Sequence, residues 1–98
     1  DTKIERKRKK LTVFFSDIAG FTDLTDRIES EVLTSMLNTY LTKMSEIAVK
    51  YGGTIDKYIG DAILIFFGDP QSKGPKNDAF DCVCMAMEMR KELEKLKI

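Results

Sequence analysis

The succession of apolar patterns along this chain predicts an α+β domain, a small sheet with helices packed on one face. Strand-like stretches at Leu11 to Ser16, Thr54 to Ile59 and Ala62 to Phe67 alternate with segments of helical spacing. Only Gly60-Asp61 divides the second and third stretches, which fits a two-residue hairpin with Gly at the first turn position. The chain has 98 residues, 43% hydrophobic and 33% charged, which suits one small globular domain with a real core.

Residues Asp1 to Lys10 are polar and contain the run Arg6 to Lys10, which reads as a basic linker, with a phosphate-seeking arm as the other option. The domain proper spans residues 11–98. Leu11-Thr-Val-Phe-Phe-Ser16 alternates large apolar groups and stops at Asp17. Phe21 to Ile28 predicts a short helix with Thr22 and Asp23 in its first turn, where an acid suits the positive end of the helix. A second helix begins at Ser30, with Ser30 and Glu31 resembling a cap and a favourable acid. Its stripe is Val32, Leu33, Met36, Leu37, Tyr40, Leu41, Met44, Ile47, Ala48 and Tyr51. Gly52-Gly53 ends it, because glycine takes the left-handed conformation without a Cβ penalty. The hairpin's second strand is apolar on both faces and should be central in the sheet. Gly68 to Asn77, with both prolines, predicts a loop, and Asp78 to Lys97 a helix burying Cys82, Ala86, Met89, Leu93 and Leu96. Phe14, Phe15, Phe66, Phe67 and the methionines are most simply core.

Sixteen Lys and Arg balance sixteen Asp and Glu, so no net field steers the molecule to nucleic acid or an anionic membrane. The longest apolar run, Ala62 to Gly68, is far short of the ~20 residues a membrane-spanning helix needs. The basic run lacks the pattern of a secretory signal, so the expected compartment is cytoplasmic. Cys82 and Cys84 fall on different faces of a helix and read as reduced, partly buried small hydrophobes.

Topology brings two carboxylates together. A strand joined through helices to a second strand of the same sheet runs parallel to it, and the hairpin returns a third strand antiparallel to both. If that third strand is central, the end of the first strand and the hairpin tip share one sheet edge, and Asp17 meets Asp61. Two carboxylates a few Å apart repel unless a proton or a cation intervenes. A shared proton would suit a hydrolase. A cation fits better, because Gly20-Phe21-Thr22 opens a helix beside Asp17 and its unpaired N–H groups form an anion site. Carboxylates beside an anion cradle suit Mg²⁺, which takes one or two carboxylates and fills its shell with water and phosphate oxygens. Taken singly, Asp61 is turn chemistry, Asp17 a helix cap and Lys57 a solvent-facing strand residue.

Thr12-Val-Phe-Phe-Ser-Asp-Ile-Ala-Gly-Phe-Thr22 and Gly53-Thr-Ile-Asp-Lys-Tyr-Ile-Gly-Asp-Ala62, at this separation, resemble the class III nucleotidyl cyclases. The helix between them and Phe67-Gly-Asp-Pro70 match as well, so the resemblance runs from about Leu11 onward and covers about the first half of such a catalytic domain. It implies a ferredoxin-like, palm-type sheet and an adenylate cyclase forming 3′,5′-cyclic AMP and pyrophosphate from ATP. It implies that Asp17, Asp61 and the Ile18 carbonyl hold two Mg²⁺ or Mn²⁺ ions. One would lower the pKa of the ribose 3′-hydroxyl and the other neutralise the triphosphate. The backbone of Ala19, Gly20, Phe21 and Thr22 would cradle the phosphates. Lys57 matches the purine-reading position, where adenylate-forming members carry Lys and guanylate-forming members Glu. A cation donates to adenine N1 but cannot accept from guanine N1–H and N2–H₂.

The resemblance further implies a head-to-tail homodimer with shared sites, and a parent protein with upstream sensor or membrane domains, of which this would be a cytoplasmic part. The family's second purine reader and its ribose-orienting and transition-state residues lie beyond the stretch matched, so this chain alone is expected to be inactive. The competing readings are a non-catalytic pairing module, a guanylate cyclase, a diguanylate-cyclase-like domain and an RNA-binding sheet. The diguanylate type needs Gly-Gly followed by two acids, where this hairpin has Gly60-Asp61-Ala62.

Overall fold

The structure, a computed structural model, describes residues 8–96. Its elements are β1 (Thr12–Ser16), α1 (Phe21–Arg27), α2 (Ser30–Lys50), β2 (Thr54–Ile59), β3 (Ala62–Phe67) and α3 (Pro75–Leu96). The sheet order is β1-β3-β2, with β3 antiparallel to both neighbours. The doubly apolar strand is therefore central, and β1 and β2 run parallel to each other across it, as the sequence predicts.

Residues directly opposite on antiparallel strands share a face. Phe14 pairs with Ile65, Ser16 with Ile63 and Thr12 with Phe67, and Ile63, Ile65 and Phe67 are buried beneath the helices. The helices complete that core with Tyr40, Met44, Ile47 and Ala48 from α2 and Cys82, Met85 and Met89 from α3. The other face of the sheet carries no helix among the described residues. Phe15 pairs with Leu64 on that face and is 57% exposed, and Val13 is 62% exposed. The expectation that Phe15 is core is thus corrected: strand alternation turns it away from the described layer of helices. Met87, also expected in the core, is 60% exposed, while Met85, outside the predicted stripe, is fully buried. Helical spacing from Cys82 and Met89 selects Met85 as the inward residue between them.

Three boundaries also differ from expectation. Helix α3 begins at Pro75, inside the predicted loop, because proline's fixed φ and missing N–H suit a first helical position. Ser30 is the first residue of α2 and does not cap it; Glu29 is the N-cap and makes no side-chain cap bond. In β2 the pairing shifts by one residue between Ile55 and Lys57, leaving Asp56 as the inserted residue of a β-bulge. The C-terminus of α2 does follow the prediction. Gly52 takes φ 81°, its N–H reaches the Val49 carbonyl, and the Gly53 N–H reaches that of Ala48.

Residues 1–7 of the predicted basic linker lie outside the described residues. Lys9, read as part of that linker, is fastened to the domain: its Nζ donates to the Gly68 carbonyl at 3.1 Å and to Asp69 Oδ1 at 2.6 Å. No described helix is long and apolar enough to cross a membrane. Cys82 and Cys84 are both free thiols, Cys82 buried and Cys84 partly so.

Candidate functional site

β1 ends at Ser16, and the chain turns through Asp17-Ile18-Ala19-Gly20 into α1. Gly20 takes φ 73° at the N-cap, a left-handed conformation that a side chain would strain. The turn rests on apolar anchors: Ile18, Phe21 and Leu24 gather against Leu33, Leu37 and Tyr40 of α2. Across from it, Gly60-Asp61 joins β2 to β3, with Gly60 at φ 61° as the predicted hairpin requires.

The two aspartates meet. Asp61 Oδ2 accepts the Ile18 N–H at 2.7 Å, so the hairpin tip is bonded to the residue after Asp17. Asp17, Ile18, Ala19, Gly20, Phe21, Thr22, Asp23 and Asp61 line one open cavity of about 350 Å³. Every residue expected for metal or phosphate contact is in this set. Asp23 joins them, although the sequence marks it only as a favourable first-turn acid. Lys57 is not in the cavity: it pairs with Leu64 and so lies on the helix-free face of the sheet, its side chain 58% exposed.

The turn's backbone groups can be accounted for. The Phe21 N–H donates to the Ile18 carbonyl at 3.2 Å and the Leu24 N–H to Gly20 at 3.0 Å. Among the described residues no backbone carbonyl accepts from the N–H groups of Ala19, Gly20, Thr22 or Asp23, so these are the donors free for an anion. The Phe21 N–H is engaged within the turn, and its side chain seats the turn against α2.

The donor set fits a hard divalent cation. It offers two carboxylates on the wall of a polar cavity, one oxygen of Asp61 being outside the bond to Ile18, and an Ile18 carbonyl with a second lone pair. Among the described residues no group of three or more His, Cys, Asp or Glu side chains forms a closed metal cage. Two carboxylates with the remaining positions open is the arrangement Mg²⁺ uses when substrate phosphates complete its shell.

Beneath the site, Tyr40 is 5% exposed. Burial raises its phenol above the ordinary value, the Ser16 hydroxyl lowers it, and the Asp61 and Asp17 carboxylates raise it further. Tyr40 is therefore a neutral floor to a site whose other titratable groups are acids.

Comparison with known proteins shows the family. The profile of the adenylate and guanylate cyclase catalytic domain matches residues 4–98. The crystal structure of the adenylyl cyclase CyaB from P. aeruginosa superposes with a TM-score of 0.93 at 56% identity, covering 96% of this chain and 48% of that one. That of the guanylyl cyclase Cya2 gives a TM-score of 0.83 at 34% identity, covering 91% and 45%. A terminal-differentiation-specific adenylate cyclase of Dictyostelium discoideum is 37% identical over 90 residues, which are 92% of this chain and 4% of that protein. The chain thus spans about half the length of the solved structures it matches and a small part of the curated relative. Both aspartates, the glycine turn between β1 and α1 and the hairpin fall within the matched region, and the chain belongs to the adenylate and guanylate cyclase catalytic domain family.

Proposed function

We propose that the full-length protein is an adenylate cyclase, forming 3′,5′-cyclic AMP and pyrophosphate from ATP, and that this chain supplies the metal and triphosphate half of the site together with one base-reading residue. The observation that carries the reading is the placement of Asp17 and Asp61 on one cavity wall beside the free N–H groups that open α1. Asp17, Asp61 and the Ile18 carbonyl are the residues that would hold two Mg²⁺ or Mn²⁺ ions. Bound there, such ions would supply Lewis acidity that makes the ribose 3′-hydroxyl a better nucleophile and offsets the charge of the leaving pyrophosphate.

The chain's own residues do the rest of the work on this side. Asp61 fixes the Asp17-Ile18 turn through the Ile18 N–H, so the two carboxylates are positioned before substrate arrives. The N–H groups of Ala19, Gly20, Thr22 and Asp23 bind the terminal phosphate oxygens and orient the triphosphate. Lys57 reads adenine by donating to N1. Its position on the face away from the metal cavity supports a head-to-tail homodimer, in which Lys57 of one chain serves the cavity of the other. The exposed Val13 and Phe15 beside it offer apolar surface for that contact. An ATP-consuming domain of this kind belongs on the cytoplasmic side, as part of a longer protein with sensor or membrane segments.

The test is cyclic nucleotide formation from ATP and from GTP with Mn²⁺ in the full-length protein, against Asp17→Ala and Asp61→Ala. The expected product is cyclic AMP, lost by about a hundredfold or more in either variant. Predominant cyclic GMP would overturn the base assignment, and no turnover of either nucleotide would make the domain a pairing module.

A further inference from the structure

We infer that Asp56 and Tyr58 are positioning residues that set Lys57 on the helix-free face of the sheet and so govern which purine the protein accepts; this rests on the reading of Lys57 as the base-recognising residue. The argument begins with strand parity. Ile55 pairs with Ile65, which is fully buried on the helix side, and Thr54 with Phe66. Side chains alternate along a strand, so an uninterrupted β2 would place Lys57 on the same face as Ile55, towards the helices. The bulge at Asp56 changes that. With one residue inserted, Lys57 pairs with Leu64, in the row that continues to Phe15 of β1, and Tyr58 pairs with Ile63 on the helix side. The inserted residue lets Ile55 pack against the helix-side core while Lys57, two positions on, faces solvent and ligand.

The Tyr58 hydroxyl meets Ser45 Oγ of α2. Ser45 has one hydroxyl proton and gives it to the Leu41 carbonyl at 2.6 Å, so Tyr58 is the donor of the pair. Tyr58 thus pins to the helix layer the residue adjoining Lys57, which holds the shifted register. Asp56 Oδ2 lies 3.7 Å from Lys57 Nζ, on the same face, with both side chains well exposed at 42% and 58%. A pair so exposed adds little stability, and its effect is on where the ammonium group points.

The experiment measures binding of 3′-deoxy-ATP and 3′-deoxy-GTP, which cannot cyclise, to the full-length protein with Mn²⁺. Lys57→Ala is the reference and should abolish the preference for the adenine compound. Tyr58→Phe and Ser45→Ala should each reduce that preference about three- to tenfold, the worth of one hydrogen bond, and the double variant should do no more than either single one. Asp56→Ala, which removes the carboxylate beside the ammonium group and keeps the inserted residue, should also reduce the preference, and an unchanged ratio there overturns the role of Asp56. Equal weakening of both nucleotides, or an unchanged ratio in the hydroxyl variants where Lys57→Ala collapses it, overturns the positioning roles. An unchanged ratio in Lys57→Ala itself overturns the base-reading assignment instead.

Discussion

Where β3 gives way to α3, Lys9 reaches Gly68 and Asp69, the Thr54 hydroxyl donates to the Asp69 carbonyl at 2.8 Å, and buried Asp78 accepts from the Ser72 hydroxyl and the Lys73 N–H. At the other end of the sheet, where β1 gives way to α1, one hydrogen bond joins Asp61 to Ile18, and Asp17 stands exposed beside several unclaimed N–H groups. The same three strands carry both ends. The first has its charges matched with donors, and the second gathers acids with no Lys or Arg lining their cavity among the described residues. Unmatched charge at one strand end, set on a framework satisfied at the other, marks where a ligand completes the structure.

The comparison can be broken at either end. The largest effect is expected at the open one: Asp61→Asn keeps a hydrogen-bonding oxygen for Ile18 but removes the charge, and should lower cyclase activity of the full-length protein by about a hundredfold or more. Its melting temperature should stay level or rise, since a like charge beside Asp17 is gone. At the closed end, Gly53→Ala would place a Cβ 2.8 Å from Ile65 Cγ2 and 3.0 Å from Phe67 Cζ, both in the core. Denaturant titration should show about 1–3 kcal/mol of lost stability from this overpacking.

Acidification separates the ends next. Hydrogen bonds from Ser72 and then Lys73 hold the Asp78 carboxyl below its usual value, and bonds from Lys50 and then Tyr51 do the same for Glu88. A depressed carboxyl contributes stability that is complete above its unfolded pKa and is lost as pH falls through the folded one. Thermal melts should therefore be flat near neutrality and fall below about pH 4, and Glu88→Gln should flatten part of that fall. The smallest effect belongs to Lys9→Ala. Its partner Asp69 is 51% exposed, and such pairs are worth about 0.2–1 kcal/mol, so the variant should be barely distinguishable by denaturant titration.

Much of this arrangement is legible in the sequence, and the exceptions have physical causes. The meeting of Asp17 and Asp61 follows from strand order alone, because the apolar run Ala62 to Phe67 can only be central and the two-residue hairpin fixes the direction of its neighbour. The Gly52 stop signal and the glycine before α1 are equally local. The parity of Ile55 relative to Lys57 is not legible: a bulge inserts a residue without disturbing the local composition, yet it inverts the residues before it relative to those on its hairpin side. Phe15 reads as core because its hydrophobicity says nothing of whether one or both faces of the sheet are covered. Lys9 and Asp78 escape for a related reason. Charged residues in polar stretches read as solvated, and their partners, Asp69 and Ser72, are brought to them only by the tertiary fold or by an irregular loop. Asp23 could have been found by extending the glycine turn one residue into α1.

The most direct test of the central claim is Mn²⁺ binding to the full-length protein in the presence of ATP, followed by the loss of the free-ion signal in electron paramagnetic resonance. The account predicts saturable Mn²⁺ binding that is abolished in Asp17→Asn and in Asp61→Asn, with both variants folded. Binding of the same strength in either variant would contradict it.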